Sequence, residues 1–284
     1  MSDFDIKGML FSFDQWSDAY LHEEVEEALL HQEELTPHLI RIIETVGDNP
    51  LLYALEQRNA HVYAAALLAH FGETAAHLPL IRAFSIPEEQ LLEIWGDITT
   101  ITLPLFLYRT CGGSLEAIRE LVLNRAADQY ARCAAMETLA FAVALQPSLR
   151  DEVIRFFQGL FTGEEAEADS VFWASLAATL CDLHPGESME ILRQAREAGL
   201  ILDYFISWED IEEANARNPE TAMTRLYHMV VARIPTDAHG YISWLAEFNQ
   251  EEEPLPRISR KQRKKKPKRV KPKAAKKPKK KKRK

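Results

Sequence analysis

Lys261, Arg263, Lys264, Lys265, Lys266, Lys268, Arg269, Lys271, Lys273, Lys276, Lys277, Lys279, Lys280, Lys281, Lys282, Arg283 and Lys284 crowd one end of the sequence. Side chains of this type at this density neutralise phosphates. A polycation binds nucleic acid by displacing condensed counterions, so if about 8 of these charges met phosphates the log–log salt slope would be roughly −7 on duplex DNA. No aromatic residue interleaves the lysines to stack on bases, and no helix is expected there to enter a groove. The expected chemistry is nonspecific association with RNA or DNA. The same charges have another use as a counterion for an acidic body, within one chain or between chains. Anionic membranes would attract them too, but no amphipathic helix or lipidation signal adjoins the run, so no membrane insertion is expected.

Other candidate chemistries are weaker. His70, Glu73 and His77 stand at i, i+3 and i+7, a spacing that would align three metal ligands on one helix face. Gly72 and Thr74 read as a break and a new N-cap, so no helix is expected to run through all three and no metal site is assigned. His22 and Glu26, at i and i+4, read as a solvated helix pair. His61, His184, His228 and His239 are scattered, and no HExxH spacing occurs. For nucleophilic catalysis there is no GxSxG elbow. Cys111 sits beside Gly112-Gly113 at an expected helix end, where the dipole raises a thiol pKa. Asp97, after Gly96, reads as an N-cap rather than a positioned catalytic carboxylate. The acidic stretches Glu23 to Glu27 and Glu164 to Asp169 lack EF-hand spacing and read as a solvated face and a loop. No catalytic or cofactor-binding residue is assigned, no cofactor is expected, and the expectation is that the chain is not an enzyme.

These residues need a frame to position them, and charge divides that frame. Of 34 basic residues, 19 lie in the last 28 positions, where there is no acid; the rest of the chain holds 15 basic and 43 acidic residues, a net charge of −28. The body's basic residues are arginines except Lys7, whereas lysine dominates the tail. One compositional bias does not explain both. Hydrophobic residues make up 46% of the 284, enough for a sizeable core, and the 11 glycines fall below the usual ~7%. Three cysteines without a CxxC pair indicate neither a disulfide framework nor a cysteine-rich zinc site, and a reducing cytoplasm is expected. The start MSDFDIKG is acidic rather than basic, and no apolar run approaches the ~18 residues of a membrane span.

Through the body, apolar residues recur at three and four, the pattern of amphipathic helices. In the first, Leu21, Val25, Ala28 and Leu29 line one face. Thr36-Pro37 reads as N-cap and first helical position, as do Ser85-Ile86-Pro87-Glu88, Ser148 to Asp151, Ser207 to Asp210 and Asn218-Pro219 in similar ways. About eleven to thirteen helices of roughly 9 to 17 residues are expected. Residues 61–71 and 130–145 are apolar on most faces and read as central helices. Each is followed by an amphipathic partner, at 74–84 and 149–161. That rhythm predicts an all-α, HEAT-like α-solenoid over residues 1–250, with a compact irregular bundle as the structural alternative. Trp16, Tyr20, Trp95, Phe106, Phe156, Phe157, Phe172 and Trp173 read as core, some of them free to line a concave groove. Residues 251–284, rich in Pro and Lys with almost no apolar surface, are expected to be disordered, with a root-mean-square reach of roughly 30 Å.

The stretches ELTPHLIRIIE, HVYAAALLAHFGETAAHLPLIRAF, WGDITTITLPLFLYRTCGG and LEAIRELVLNRAADQYARCAAMETLAFAV together resemble a bacterial family known as domain of unknown function 1186, over roughly residues 14 to 250. The most specific pieces are Thr36-Pro37, the helix from Tyr63 to Phe71, Gly96-Asp97 with Thr100, and the Arg132 helix. The resemblance implies an all-helical, repeat-like bacterial protein of unassigned activity. It carries over no catalytic residues. Many members end in a cysteine-rich zinc motif of the SEC-C type; here no cysteine follows Cys181, and the lysine tail stands in that place. In a bacterial protein, the likeness of Pro278 to Lys284 to a nuclear import motif would require delivery into a host cell.

The functional expectation is a non-enzymatic interaction scaffold, its body binding an unidentified protein partner and its tail binding nucleic acid nonspecifically. The rival is a helical hydrolase or metal-dependent enzyme with a site assembled from distant residues. A buried polar cluster with strongly shifted pKa values would favour the rival, and an apolar or uniformly acidic groove the scaffold.

Overall fold

The computed structural model describes residues 4–15, 20–56 and 58–244, and these fold as α-helix with no strand among them. In chain order the helices are α1 (Ile6–Asp14), α2 (His22–Leu30), α3 (Gln32–Asp48), α4 (Pro50–Glu56), α5 (Ala60–Phe71) and α6 (His77–Phe84). Next come α7 (Glu88–Trp95), α8 (Ile98–Ile101), α9 (Leu103–Thr110), α10 (Glu116–Leu123), α11 (Gln129–Leu145) and α12 (Arg150–Gln158). Then follow α13 (Val171–Asp182), α14 (Met189–Glu197), α15 (Trp208–Ala216), α16 (Pro219–Arg233) and α17 (His239–Ile242). The chain divides into units of residues 1–249 and 250–284, and every described residue belongs to the first. Trp16 and the whole basic run from Lys261 to Lys284, with the disorder expected of it, lie outside the described residues.

Seventeen α-helices among the described residues exceed the expected number, and several are shorter than expected. α8 and α9 show why. Pro104 has no N–H to donate, and a fresh helix starts at Leu103 immediately after a four-residue turn. The segment before Leu21 contains a further helix, α1, which Asp5 caps by accepting the Gly8 N–H at 3.0 Å.

Helices α5, α9, α11 and α13 pack in succession, and α3, α6 and α10 form a second row beside them. Composition explains the succession. Ala64, Ala65, Ala66, Leu67, Leu68 and Ala69 are all buried, as are Ala134, Ala135, Ala140, Ala142 and Ala144 of α11. Small side chains on every face let neighbours approach from both sides. Gly72 ends α5 at φ +65°, and the Glu73 N–H then closes the turn on the Leu68 carbonyl at 3.0 Å. An L-residue at Gly72 would meet the left-handed penalty.

The last helices do not extend the row. α16 returns across α11 and α13, and α17 reaches back to α5. The return is pinned by Arg233, which pairs with Glu137 of α11, donates to the Ile101 carbonyl and lies 4.9 Å over the Phe141 ring. This face of the central helices is therefore occupied by the chain's own C-terminal helices. Trp95, Phe106, Phe157, Phe172 and Trp173 are buried, as core positions should be.

Local caps sort into matches and differences. Ser207 and Asp210 form a reciprocal capping box, and Asn218 with Pro219 starts α16. Asn218 Oδ1 accepts the N–H groups of Glu220 at 2.9 Å and Thr221 at 3.3 Å, so Asn218→Ala should cost about 1 kcal/mol in urea denaturation. Thr36-Pro37 is not a helix start. α3 begins at Gln32 because Leu35, fully buried, belongs to the same apolar face as Leu39 and Ile43; Thr36 then donates to the Gln32 carbonyl. Ser148 lies in a 3-10 turn and does not cap α12.

Candidate functional site

The recess at the start of α11 is lined by eight charged side chains, six of them acidic, around a volume of about 660 Å³. Asp128 caps α11, its Oδ1 accepting the N–H groups of Tyr130 at 2.8 Å and Ala131 at 3.3 Å. One turn on, Arg132 is only 3% exposed. Its Nε donates to the Val122 carbonyl at 2.8 Å, its Nη1 to the Glu165 carbonyl at 2.9 Å, and its guanidinium carbon lies 4.1 Å from the Phe172 ring centroid. Burial lowers the Arg132 pKa, and Glu165 opposes that shift. Nη2 of Arg132 and Oδ2 of Asp128 are buried without a partner.

The segment between α12 and α13 supplies the rim through Glu164, Glu165, Glu167 and Asp169. It is held in place by backbone acceptors. Trp173 Nε1 donates to the Glu167 carbonyl at 2.9 Å, complementing the Arg132 bond to Glu165. Ser170 donates to Gln129 Oε1 at 2.7 Å and caps α13. Arg125 reaches Glu165 at 3.2 Å and neutralises one rim carboxylate. The rest of the rim stays acidic, so the recess suits a cationic group with further donors. The stretch from Glu164 to Asp169 is a loop, as expected. A cation inside the alanine-rich α11, whose other charge is Glu137, was the available sign that Arg132 must be internally partnered.

His70, Glu73 and His77 are not brought together. Glu73 caps a 3-10 turn through the Ala75 N–H at 2.9 Å, while His77 is buried with Nδ1 3.0 Å from Thr110 Oγ1. Asp97 stands at the N-cap position of α8 as read, but its side chain makes no capping bond there; Gly96 at φ +46° precedes it. Cys111 donates to the Tyr108 carbonyl at 3.2 Å. Burial raises all three thiols, Cys133 to about 11 and Cys181 to about 12. His22 and Glu26 are more than a solvated pair, because His239 joins them from 213 residues away. That grouping had no local signal.

Away from the recess most of the body's arginines are committed. Arg58 pairs with Asp14, Arg82 with Asp48, Arg119 with Glu152, Arg193 with Glu190, Arg196 with Asp203 and Arg217 with Glu213. Arg109 and Arg150 donate to backbone carbonyls at helix ends. Among the described arginines only Arg225 has neither a hydrogen bond nor an ion pair, and Asp182 is its electrostatic neighbour.

His61 couples the core to pH. It is buried between Tyr53 and Trp95, its Nε2 is 2.8 Å from the Ile94 carbonyl, and its Nδ1 has no partner. A carbonyl only accepts, so Nε2 carries the proton. Burial pushes the pKa down from 6.5 to about 4. The folded state thus binds fewer protons than the unfolded one between these values, and stability is lost as pH falls through that window. The full effect is about 3 kcal/mol. His61→Gln keeps a donor for Ile94, and its urea-unfolding free energy should fall less than wild type's between pH 7 and pH 4.5.

A family model described as "Protein of unknown function (DUF1186)" matches residues 5–238. Two curated relatives, each named "Uncharacterized protein", come from Chlamydia muridarum and Chlamydia trachomatis serovar D. Each is 32% identical over 191 residues, covering 67% of this chain and 76% of the relative. No solved structure matches. No described helix is long and apolar enough to cross a membrane.

Proposed function

Because the chain belongs to the DUF1186 family of proteins of unknown function, which brings no activity with it, we propose a role from its own charges: a non-enzymatic adaptor. Its basic segment attaches to RNA or DNA through phosphates, and its helical body engages a protein partner. One observation carries this reading. All the concentrated positive charge, 19 residues in 28 positions, sits outside a body of net charge −28. Every arginine of the body except Arg225 is engaged in an internal hydrogen bond or ion pair, which favours the basic segment as the phosphate-binding element. The body itself repels a polyanion.

The acidic rim over Arg132 supports a partner that offers a basic segment, since Glu164, Glu167 and Asp169 supply carboxylates to meet it. The raised pKa values of the three thiols favour the adaptor over a cysteine nucleophile, which needs a lowered one. The deciding experiment compares the full chain with a chain ending at Gln250, by fluorescence anisotropy on duplex DNA and single-stranded RNA at low salt. Binding is expected from the full chain and none from the shortened one. Equal binding by both would refute the reading.

A further inference from the structure

His22 begins α2, Glu26 follows one turn later on the same face, and His239 begins α17. One ligand atom from each can be chosen so that all lie within 4.8 Å of one another. His239 Nε2 is 2.7 Å from Glu26 Oε1, and the His22 and His239 rings stack with centroids 4.2 Å apart and planes 7° from parallel. On the far side of the ring, His239 Nδ1 is 2.6 Å from the Tyr20 hydroxyl. We propose that His22, Glu26 and His239 bind one Zn²⁺, which clasps the end of the C-terminal return onto the N-terminal α2.

The donor set is the first reason. Two imidazoles and one carboxylate are a zinc combination, with a fourth tetrahedral position left for water. The i, i+4 placement on one helix matches the spacing by which helical metal sites present two ligands. Support behind the ligand is the second reason. A metal-bound imidazole holds its other nitrogen in a hydrogen bond that fixes ring and tautomer, and Tyr20 already occupies that place on His239. Tyr20 itself is partly buried and stacked on Tyr63, so its hydroxyl is well positioned.

Without metal, a proton on Nε2 holds His239 to Glu26. Zn²⁺ takes that position, the proton resides on Nδ1 instead, and Tyr20 turns from donor to acceptor. Ligands bound at ~2.0–2.1 Å lie roughly 3.4 Å apart, so the cluster must draw in by about 1 Å. His22 and Glu26 are exposed and can make that adjustment by rotating their side chains. The ion would join positions 213 to 217 residues apart in sequence, tying α17 to α2 beside α5. Closing so long a loop constrains the unfolded chain, and metal binding becomes folding stability.

The test uses the full chain, stripped with chelator and titrated with Co²⁺ as a spectroscopic stand-in, then displaced by Zn²⁺. Wild type should show one equivalent with tetrahedral d–d absorption and a zinc-dependent rise in thermal midpoint. His22→Gln and His239→Gln should lose both. His22 is exposed, so its variant folds even if His239→Gln does not. Tyr20→Phe should keep the cobalt spectrum and bind Zn²⁺ roughly tenfold more weakly. Absence of the tetrahedral spectrum in wild type, or equal metal uptake and equal thermal shift in wild type and His22→Gln, would overturn the proposal.

Discussion

Raising monovalent salt from about 50 to about 200 mM is expected to weaken binding of the full chain to duplex DNA by up to about 10⁴-fold. The magnitude follows from counting charges. With 19 basic residues in 28 positions, engagement of about 8 phosphates is a modest fraction, and each phosphate neutralised contributes about −0.9 to the log–log slope. The body contributes in the opposite sense. Its net charge of −28 repels the duplex at low salt, and screening relieves that repulsion as salt rises. A slope near −7 therefore sets the upper magnitude. Duplexes of unrelated sequence should bind alike, because phosphate contacts fix position without reading bases. A slope shallower than about −2, or discrimination between sequences, would mean that apolar or base-edge contacts dominate and that the attachment is of another kind.

Much of the frame was legible because it is local. α5 and α11 announce themselves by alanine and leucine on every face, which only a helix covered on both sides tolerates. Asn218-Pro219 and Ser207 to Asp210 are legible for a similar reason, since a cap is a contract between residues two or three apart. Thr36-Pro37 has the same chemistry and misleads. There the burial of Leu35 outweighs the local preference, and the helix runs through the proline. Asp97 is a partial case: it takes the N-cap position of α8, yet beside the glycine turn its side chain makes no capping bond.

The sites were less legible because distance in sequence hides them. His239 meets Glu26 only because α16 turns back over α11 and α13 and carries α17 to α5, a topology that no periodicity encodes. Arg132 was half visible. Its charge inside an apolar helix demands partners, but those partners, the carbonyls of Val122 and Glu165, lack any side-chain signature. The occupied face of the central helices belongs in this class too. An open groove is the default for a row of stacked helices, but the returning α16 and α17 fill it, with Leu226, Val230 and Tyr241 buried and Arg233 set on Glu137 and Phe141.

Arg132→Ala should be strongly destabilising, at about 3–5 kcal/mol. The buried Val122 carbonyl and the half-buried Glu165 carbonyl lose their donor, at about 1–3 kcal/mol each with the second toward the lower end, and the contact over Phe172 loses about 1–2 kcal/mol more. Relief of the unpartnered Nη2 offsets part of this sum. Arg132→Lys keeps the charge but gathers its three N–H donors on one nitrogen and lacks the fork by which Nε and Nη1 reach the two separate carbonyls, so it should recover no more than about half the loss. Against a total stability of about 5–15 kcal/mol, the alanine variant should shift the urea midpoint strongly. A change below about 1 kcal/mol would show that the guanidinium is merely tolerated there. The effect should also reach the recess, because Arg132 anchors the rim at Glu165 while Trp173 anchors it at Glu167. With one anchor gone, amides from Gly163 to Ser170 should exchange faster than in wild type under native conditions, even where the rest of the body stays protected. Arg132→Lys should restore protection only in proportion to the Glu165 bond it remakes, which ties the order of the acidic rim to one side chain.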